Sequence, residues 1–154
     1  MNILGLFGLC LMLTMSPAIA APPAVKTADF ATSAVIACQE LAASSRLRPL
    51  SIAVIDTSGT RILFARQPGA SIATADAALL KAKSAWRMGV PTALLANVPA
   101  NDASTLQLLG IAAISGGAPL KLADGTLVGS IGVSGAKVTD DDGRCAAAAA
   151  AVVH

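Results

Sequence analysis

The feature that most restricts this chain is a pair of tight reversals between β-rich runs. Leu50 to Asp56 is apolar on both alternating faces, Thr57-Ser58-Gly59-Thr60 has turn composition, and Arg61 to Arg66 resumes the strand pattern, so a hairpin is expected. Farther on, Pro119 to Leu122 and Leu127 to Val133 flank Asp124-Gly125, a dipeptide suited to a hairpin turn. Strands joined by so few residues run antiparallel, because a parallel partner needs a crossover of a dozen residues or more. Ile111 to Ser115, leading into Gly116-Gly117, is a further strand candidate.

Helical periodicity surrounds these strands. Thr27 can cap a helix with Asp29 in its first turn, and Ala31, Val35, Cys38 and Ala42 make one apolar stripe, ending near Ser45. After Pro68-Gly69, Ala75, Leu79, Ala82 and Trp86 recur at helical spacing, predicting a second helix from Ser71 to about Arg87, closed by Gly89 and Pro91. On that stripe Trp86 reads as core rather than as a stacking platform. Val90 to Gln107 is interrupted by Pro91 and Pro99, and Asn101 to Leu108 suits either a short helix or a mobile loop. Thr139 can cap a last helix with Asp140, Asp141 and Asp142 in its first turn and a stripe of Cys145, Ala148, Ala149 and Val152. The order α-β-β-α-loop-β-β-β-α lacks β-α-β alternation and indicates an α+β fold, an antiparallel sheet flanked by helices. There is no internal repeat and no second domain.

The first twenty residues read differently. Ile3 to Leu13 is an unbroken apolar run too short for an ordinary membrane span, Pro17 ends it, and Ala18-Ile19-Ala20 offers small residues at a signal-peptidase site. Residues 1–20 are therefore expected to be a signal peptide, 21–26 (with Pro22 and Pro23) a flexible leader, and 27–154 the domain. The mature protein is expected to be periplasmic or secreted and free of the membrane. The chain is 55% apolar but only 3% aromatic, so its core must be built from small side chains that permit close backbone approach. A net charge of +2, without a basic stripe or interleaved aromatics, leaves no electrostatic footprint for nucleic acid.

Several chemistries fail on the residues themselves. Gly132-Val133-Ser134-Gly135-Ala136 has Ala where a nucleophile elbow needs its second Gly, and the one histidine is the terminal His154. Gly129, Gly132 and Gly135 recur every third residue, not as a phosphate-binding loop; they mark places where another backbone or a flat ligand comes close, or simple packing beside a helix. Three consecutive aspartates point in different directions, which suits helix capping better than calcium. Cys38, Cys145 and His154 lack zinc-ligand spacing. Of the three cysteines, Cys10 falls in the expected signal peptide, and the other two, Cys38 and Cys145, lie on the stripes of the first and last helices. They form a disulfide if those helices pack together in an oxidising compartment, and otherwise stand as two buried thiols.

Four segments together resemble the GlcG/HbpS-like family, also called the heme-degrading or DUF336 domain. Ile52-Ala53-Val54-Ile55-Asp56-Thr57-Ser58-Gly59 is similar to its Val-Val-Asp-x-x-Gly hairpin, and Arg66 with Gly69-Ala70 to its Arg-Met-Asp-Gly-Ala segment. Lys81-Ala82-Lys83-Ser84-Ala85 matches its Lys-Ala-x-Thr/Ser-Ala helix signature. Gly116-Gly117-Ala118-Pro119 and Val128 to Gly135 resemble its Gly-Gly-x-Pro and Gly-x-Ile-Gly-Val-Ser-Gly stretches. The likeness covers most of Thr27 to Val153, with Gln67-Pro68 replacing Met-Asp and no internal histidine.

The resemblance implies a profilin-like fold, homo-oligomers and, in members with an assigned role, heme binding. The expected function is thus that of an exported protein that binds heme or a related tetrapyrrole in a groove near Gly116, Gly117 and Pro119. Arg66, Lys81 and Arg87 are the candidate cations for its carboxylates. With the cysteines oxidised and no tyrosine present, Met88 and His154 are the candidate iron ligands. The alternatives are a structural or regulatory oligomer without a small ligand, and slow peroxide-dependent heme degradation. No general base is evident, so binding is favoured over catalysis.

Overall fold

The computed structural model describes residues 27–154; the expected signal peptide and leader lie outside the described residues. Helix α1 (Thr27–Ser44) buries the four stripe residues Ala31, Val35, Cys38 and Ala42, as their spacing predicts. Strands β1 (Ser51–Asp56) and β2 (Arg61–Arg66) form the first hairpin. Asp56 clamps its turn by accepting from the backbone N–H of Ser58 (2.8 Å), the Ser58 hydroxyl (2.6 Å) and the N–H of Thr60 (3.0 Å). The Ser58 hydroxyl, foremost among these donors, holds the Asp56 carboxyl below its usual 3.8. Its contribution is therefore complete above that value and is lost as pH falls through the lowered one.

Helix α2 (Ile72–Met88) runs between a Ser71 cap, whose hydroxyl accepts from the Thr74 N–H, and Gly89, whose left-handed backbone (φ 67°) turns its N–H onto the Ala85 carbonyl. Its buried face is Ala78, Lys81, Ala82, Ser84 and Ala85, turned from the stripe through Ala75, Leu79 and Trp86 that periodicity suggested. Trp86 is half-buried and lies against Gly59 of the hairpin turn.

A 3-10 turn (Thr92–Leu95) and a short helix α3 (Ala100–Leu108) follow, so the helical alternative for this stretch is the one realised. Ile111 to Ser115 is not a strand. Side chains satisfy its backbone instead: the Ser84 hydroxyl accepts from Ala112 N–H (2.8 Å), and the Thr92 hydroxyl donates to the Ile114 carbonyl (2.7 Å). Strands β3 (Gly117–Lys121) and β4 (Leu127–Ser134) make the second hairpin, and α4 (Thr139–Ala150) closes the fold.

The four strands form one antiparallel sheet in the order β2-β1-β4-β3. Its two faces are covered in different ways. Toward α2 point Ala53, Ser130, Gly132 and Gly117; Gly132 pairs with Ala53 on one side and Gly117 on the other. Around Gly132 this floor has almost no side chains and the helix backbone rests on it, while Ile55, the register partner of Ser130, is fully buried on the same face. A Cβ at Gly132 would overlap the Ala78 carbonyl and lie 2.5 Å from Ala82 N, and one at Gly117 would overlap the Lys81 carbonyl. The Ser130 hydroxyl donates to the Ala82 carbonyl at 2.7 Å. Toward α1 and α4 point Ile52, Val54, Ala118, Leu120, Ile131 and Val133, the larger side chains of the main core.

Helices α1 and α4 are joined by a buried Cys38–Cys145 disulfide, Cα to Cα 4.7 Å. The inward residues of α4 are Cys145, Ala146 and Ala149, with Val153 beyond its end. Ala148 is half-buried and Val152 exposed, so the expected stripe is displaced toward Ala146 and Val153.

Candidate functional site

A cleft of about 590 Å³ runs between the outer face of α4 and the edge strand β3. Ser115, Gly116, Gly117, Ala118 and Pro119 form one wall, with Asp140, Gly143, Arg144, Ala147, Ala150 and Ala151 opposite and Pro91 and Ala93 at the margin. The volume lies within the range of small-molecule sites. The cleft runs along α4 from Asp140 to Ala150, roughly 15 Å at 1.5 Å per residue. Its charges, Asp140 and Arg144, stand toward the start of α4, and alanines, glycines and prolines make most of the rest.

Two glycines shape the near end. Gly116 has φ 123°, a conformation that L side chains rarely adopt, and its carbonyl accepts from Val133 N–H at 2.7 Å. Gly143 lets the loop lie directly on α4, because a Cβ there would overlap the Ser115 hydroxyl. That hydroxyl oxygen is buried and makes no hydrogen bond.

Beneath Gly116 lies a buried ion pair. Lys81 Nζ, from α2, donates to Asp142 Oδ2 at 2.8 Å and to the Val133 carbonyl at 3.0 Å; Asp142 Oδ1 accepts from Ala136 N–H at 3.0 Å. Both residues are under 5% exposed. This corrects two expectations about the start of α4. Asp142 is a tie between helices rather than a helix cap, and the cap position belongs to Val138, which makes no side-chain cap bond, not to Thr139. Asp141 instead pairs with Arg144 at 2.8 Å, on a partly exposed surface.

The expected site residues separate into three groups. Gly116, Gly117 and Pro119 line the cleft. Lys81 lies below it with its ammonium committed to Asp142 and Val133. Arg66, Arg87, Met88 and His154 do not line it. Arg66 donates to the Ala70 carbonyl through Nε (2.9 Å) and Nη2, and Arg87 donates to the Leu109 carbonyl at 3.2 Å. Met88 is partly exposed at the end of α2, and His154 lies in a separate depression with Asp29, Phe30 and Ser33. Arg144, Asp140 and the alanines of α4 were missed as site residues. Their only sequence signal was that Gly143, Arg144, Ala147, Ala150 and Ala151 lie off the inward stripe.

Among the described residues no group of three His, Cys, Asp or Glu could hold a metal ion, and no helix is long and apolar enough to cross a membrane.

The cleft and fold together place the chain in a class of small α+β proteins with a ligand-sized groove beside an edge strand. The family model described as "Haem degrading protein HbpS-like" matches residues 27–151, and the chain belongs to that family. Among solved structures it is similar to a double mutant of HbpS from Streptomyces reticuli, with 30% identity, a TM-score of 0.76, and coverage of 96% of this chain and 99% of that one. It shares its fold with a PduOC:heme complex at 24% identity and a TM-score of 0.71, covering 80% of this chain and 91% of that one. The same holds for the Klebsiella pneumoniae protein ORFY, of the DUF336 family, at 20% identity and a TM-score of 0.71, covering 90% and 96%. No curated protein matches the sequence.

Proposed function

We propose that this is an exported binding protein for a flat, largely apolar ligand that carries a carboxylate, heme or a related tetrapyrrole, held between α4 and β3. The observation that carries this reading is the cleft: about 590 Å³, walled by small side chains, with Arg144 toward one end. Membership of the HbpS-like family and the heme complex formed by PduOC give the ligand class its chemical sense. Small residues expose backbone and methyl surface that a flat ring can contact over a wide area. Arg144 supplies a planar donor fork suited to a carboxylate. Its present partner Asp141 is three residues away on the same helix, and such surface pairs are worth only about 0 to 1 kcal/mol, so a ligand can take its place at little cost.

The buried disulfide supports export, since such bonds persist in oxidising compartments. Binding is the activity proposed.

The test is a titration of the disulfide-bonded protein with hemin, followed in the Soret region. A saturable change is expected, weakened roughly tenfold or more in Arg144→Ala, because a hydrogen bond to a charged group is worth about 1.5 to 3 kcal/mol. A linear, non-saturating response in the wild type would refute the reading.

A further inference from the structure

The donor set around the cleft fits the ring of a tetrapyrrole but not its metal. Heme iron is ordinarily held by His, Met, Cys or Tyr, and among the described residues none of these lines the cleft. The chain has no tyrosine. Cys38 and Cys145 are consumed in a buried disulfide. Met88 is outside the cleft at the end of α2, and His154 belongs to another depression beside α1. Among the described residues the one cation lining the cleft is Arg144, with Asp140 on the same stretch of α4 and Asp141 paired to the guanidinium at 2.8 Å.

Resting on the reading above, we infer that the cleft recognises the carboxylated macrocycle itself, independently of iron. Arg144 sets the ligand's orientation by drawing its carboxylate toward the start of α4, while the apolar body lies along Ala147, Ala150 and Pro119. With Arg144 removed, Asp140 and Asp141 stand on that stretch with no cation beside them, so loss of the arginine weakens any carboxylated ring whatever metal it holds.

The experiment titrates the full disulfide-bonded protein with hemin and, separately, with iron-free protoporphyrin IX, the latter followed by its fluorescence. It is repeated on Arg144→Ala and on a Met88→Ala/His154→Ala double variant. The two porphyrins are expected to bind within about threefold of each other and to lose affinity in parallel, by roughly tenfold, in Arg144→Ala. The double variant is expected to leave both unchanged, and the bound hemin's Soret band with them. Hemin binding ten times or more tighter than protoporphyrin IX, with the preference abolished in the double variant, would overturn the inference and leave the binding reading standing. Saturation by neither porphyrin would overturn both.

Discussion

Helices α2 and α4 cover opposite faces of one sheet, and they are held there by different physics. Under α2 the sheet presents Gly117, Gly132, Ala53 and Ser130, so the helix backbone lies on the strands and no space remains between them. Under α4 the sheet presents Ile131, Val133, Ala118 and Leu120, and that layer is fastened by the Cys38–Cys145 disulfide to α1 and by the Lys81–Asp142 pair to α2. The small residues on the outer side of α4 are left uncovered, and there they make a cleft. Glycine and alanine thus serve two opposite ends in one domain, close packing where a helix backbone covers them and an open groove where none does.

The comparison can be broken at three places. The largest effect is expected from removing the disulfide. It joins residues 107 apart, for which the chain-entropy model gives roughly 4 to 5 kcal/mol as an upper figure. Cys38→Ser/Cys145→Ser is expected to lower the unfolding free energy measured by urea titration by an amount approaching that value, and an unchanged free energy would show that α4 is held by packing alone. Next comes Lys81→Met, which leaves Asp142 buried with its charge uncompensated at a cost of about 3 to 5 kcal/mol. Adding Asp142→Leu should recover only part of the loss, because Ala136 N–H then has no acceptor. Full recovery would deny the carboxylate its second role. The smallest is Gly132→Ala, a single methyl pressed into the α2 backbone, expected to cost about 1 to 3 kcal/mol by overpacking. A neutral result there would mean that α2 can move off the sheet.

Both hairpins, the positions of α1, α2 and α4 and the antiparallel α+β class were legible from turn chemistry and periodicity, while the stretch that forms α3 left helix and loop open. These are local properties, carried by residues such as Asp56, Gly59, Gly89, Asp124 and Gly125. The errors arose where tertiary contact overrides local pattern. Ile111 to Ser115 has strand composition, yet Ser84 and Thr92 satisfy its backbone from α2 and the 3-10 turn. The face of α2 was misjudged because a buried lysine does not read as apolar. Lys81 looked like a ligand-binding cation, and nothing within its own segment reveals Asp142, 61 residues away. In this chain the Lys-Ala-Lys-Ser-Ala signature is largely a packing motif: Lys81 pairs with Asp142, the Ala82 carbonyl accepts from Ser130, and Ser84 serves Ala112. Gly116, Gly117 and Pro119, which line the cleft, were named through resemblance alone. The other wall escaped notice because Ala147, Ala150 and Ala151 have no chemistry that marks them out; only the placement of α4 beside β3 makes them the wall of a cleft.

The claim that the uncovered face of α4 is the binding wall is tested most directly by filling it. Ala147 is exposed on α4 and lines the cleft, and leucine is nearly as good a helix former, so Ala147→Leu should leave thermal stability unchanged while occupying the groove. Titrated with hemin beside the wild type, the variant is expected to lose affinity by more than tenfold at an unaltered melting temperature. Saturable binding of equal strength in both proteins would place the ligand elsewhere and contradict the account.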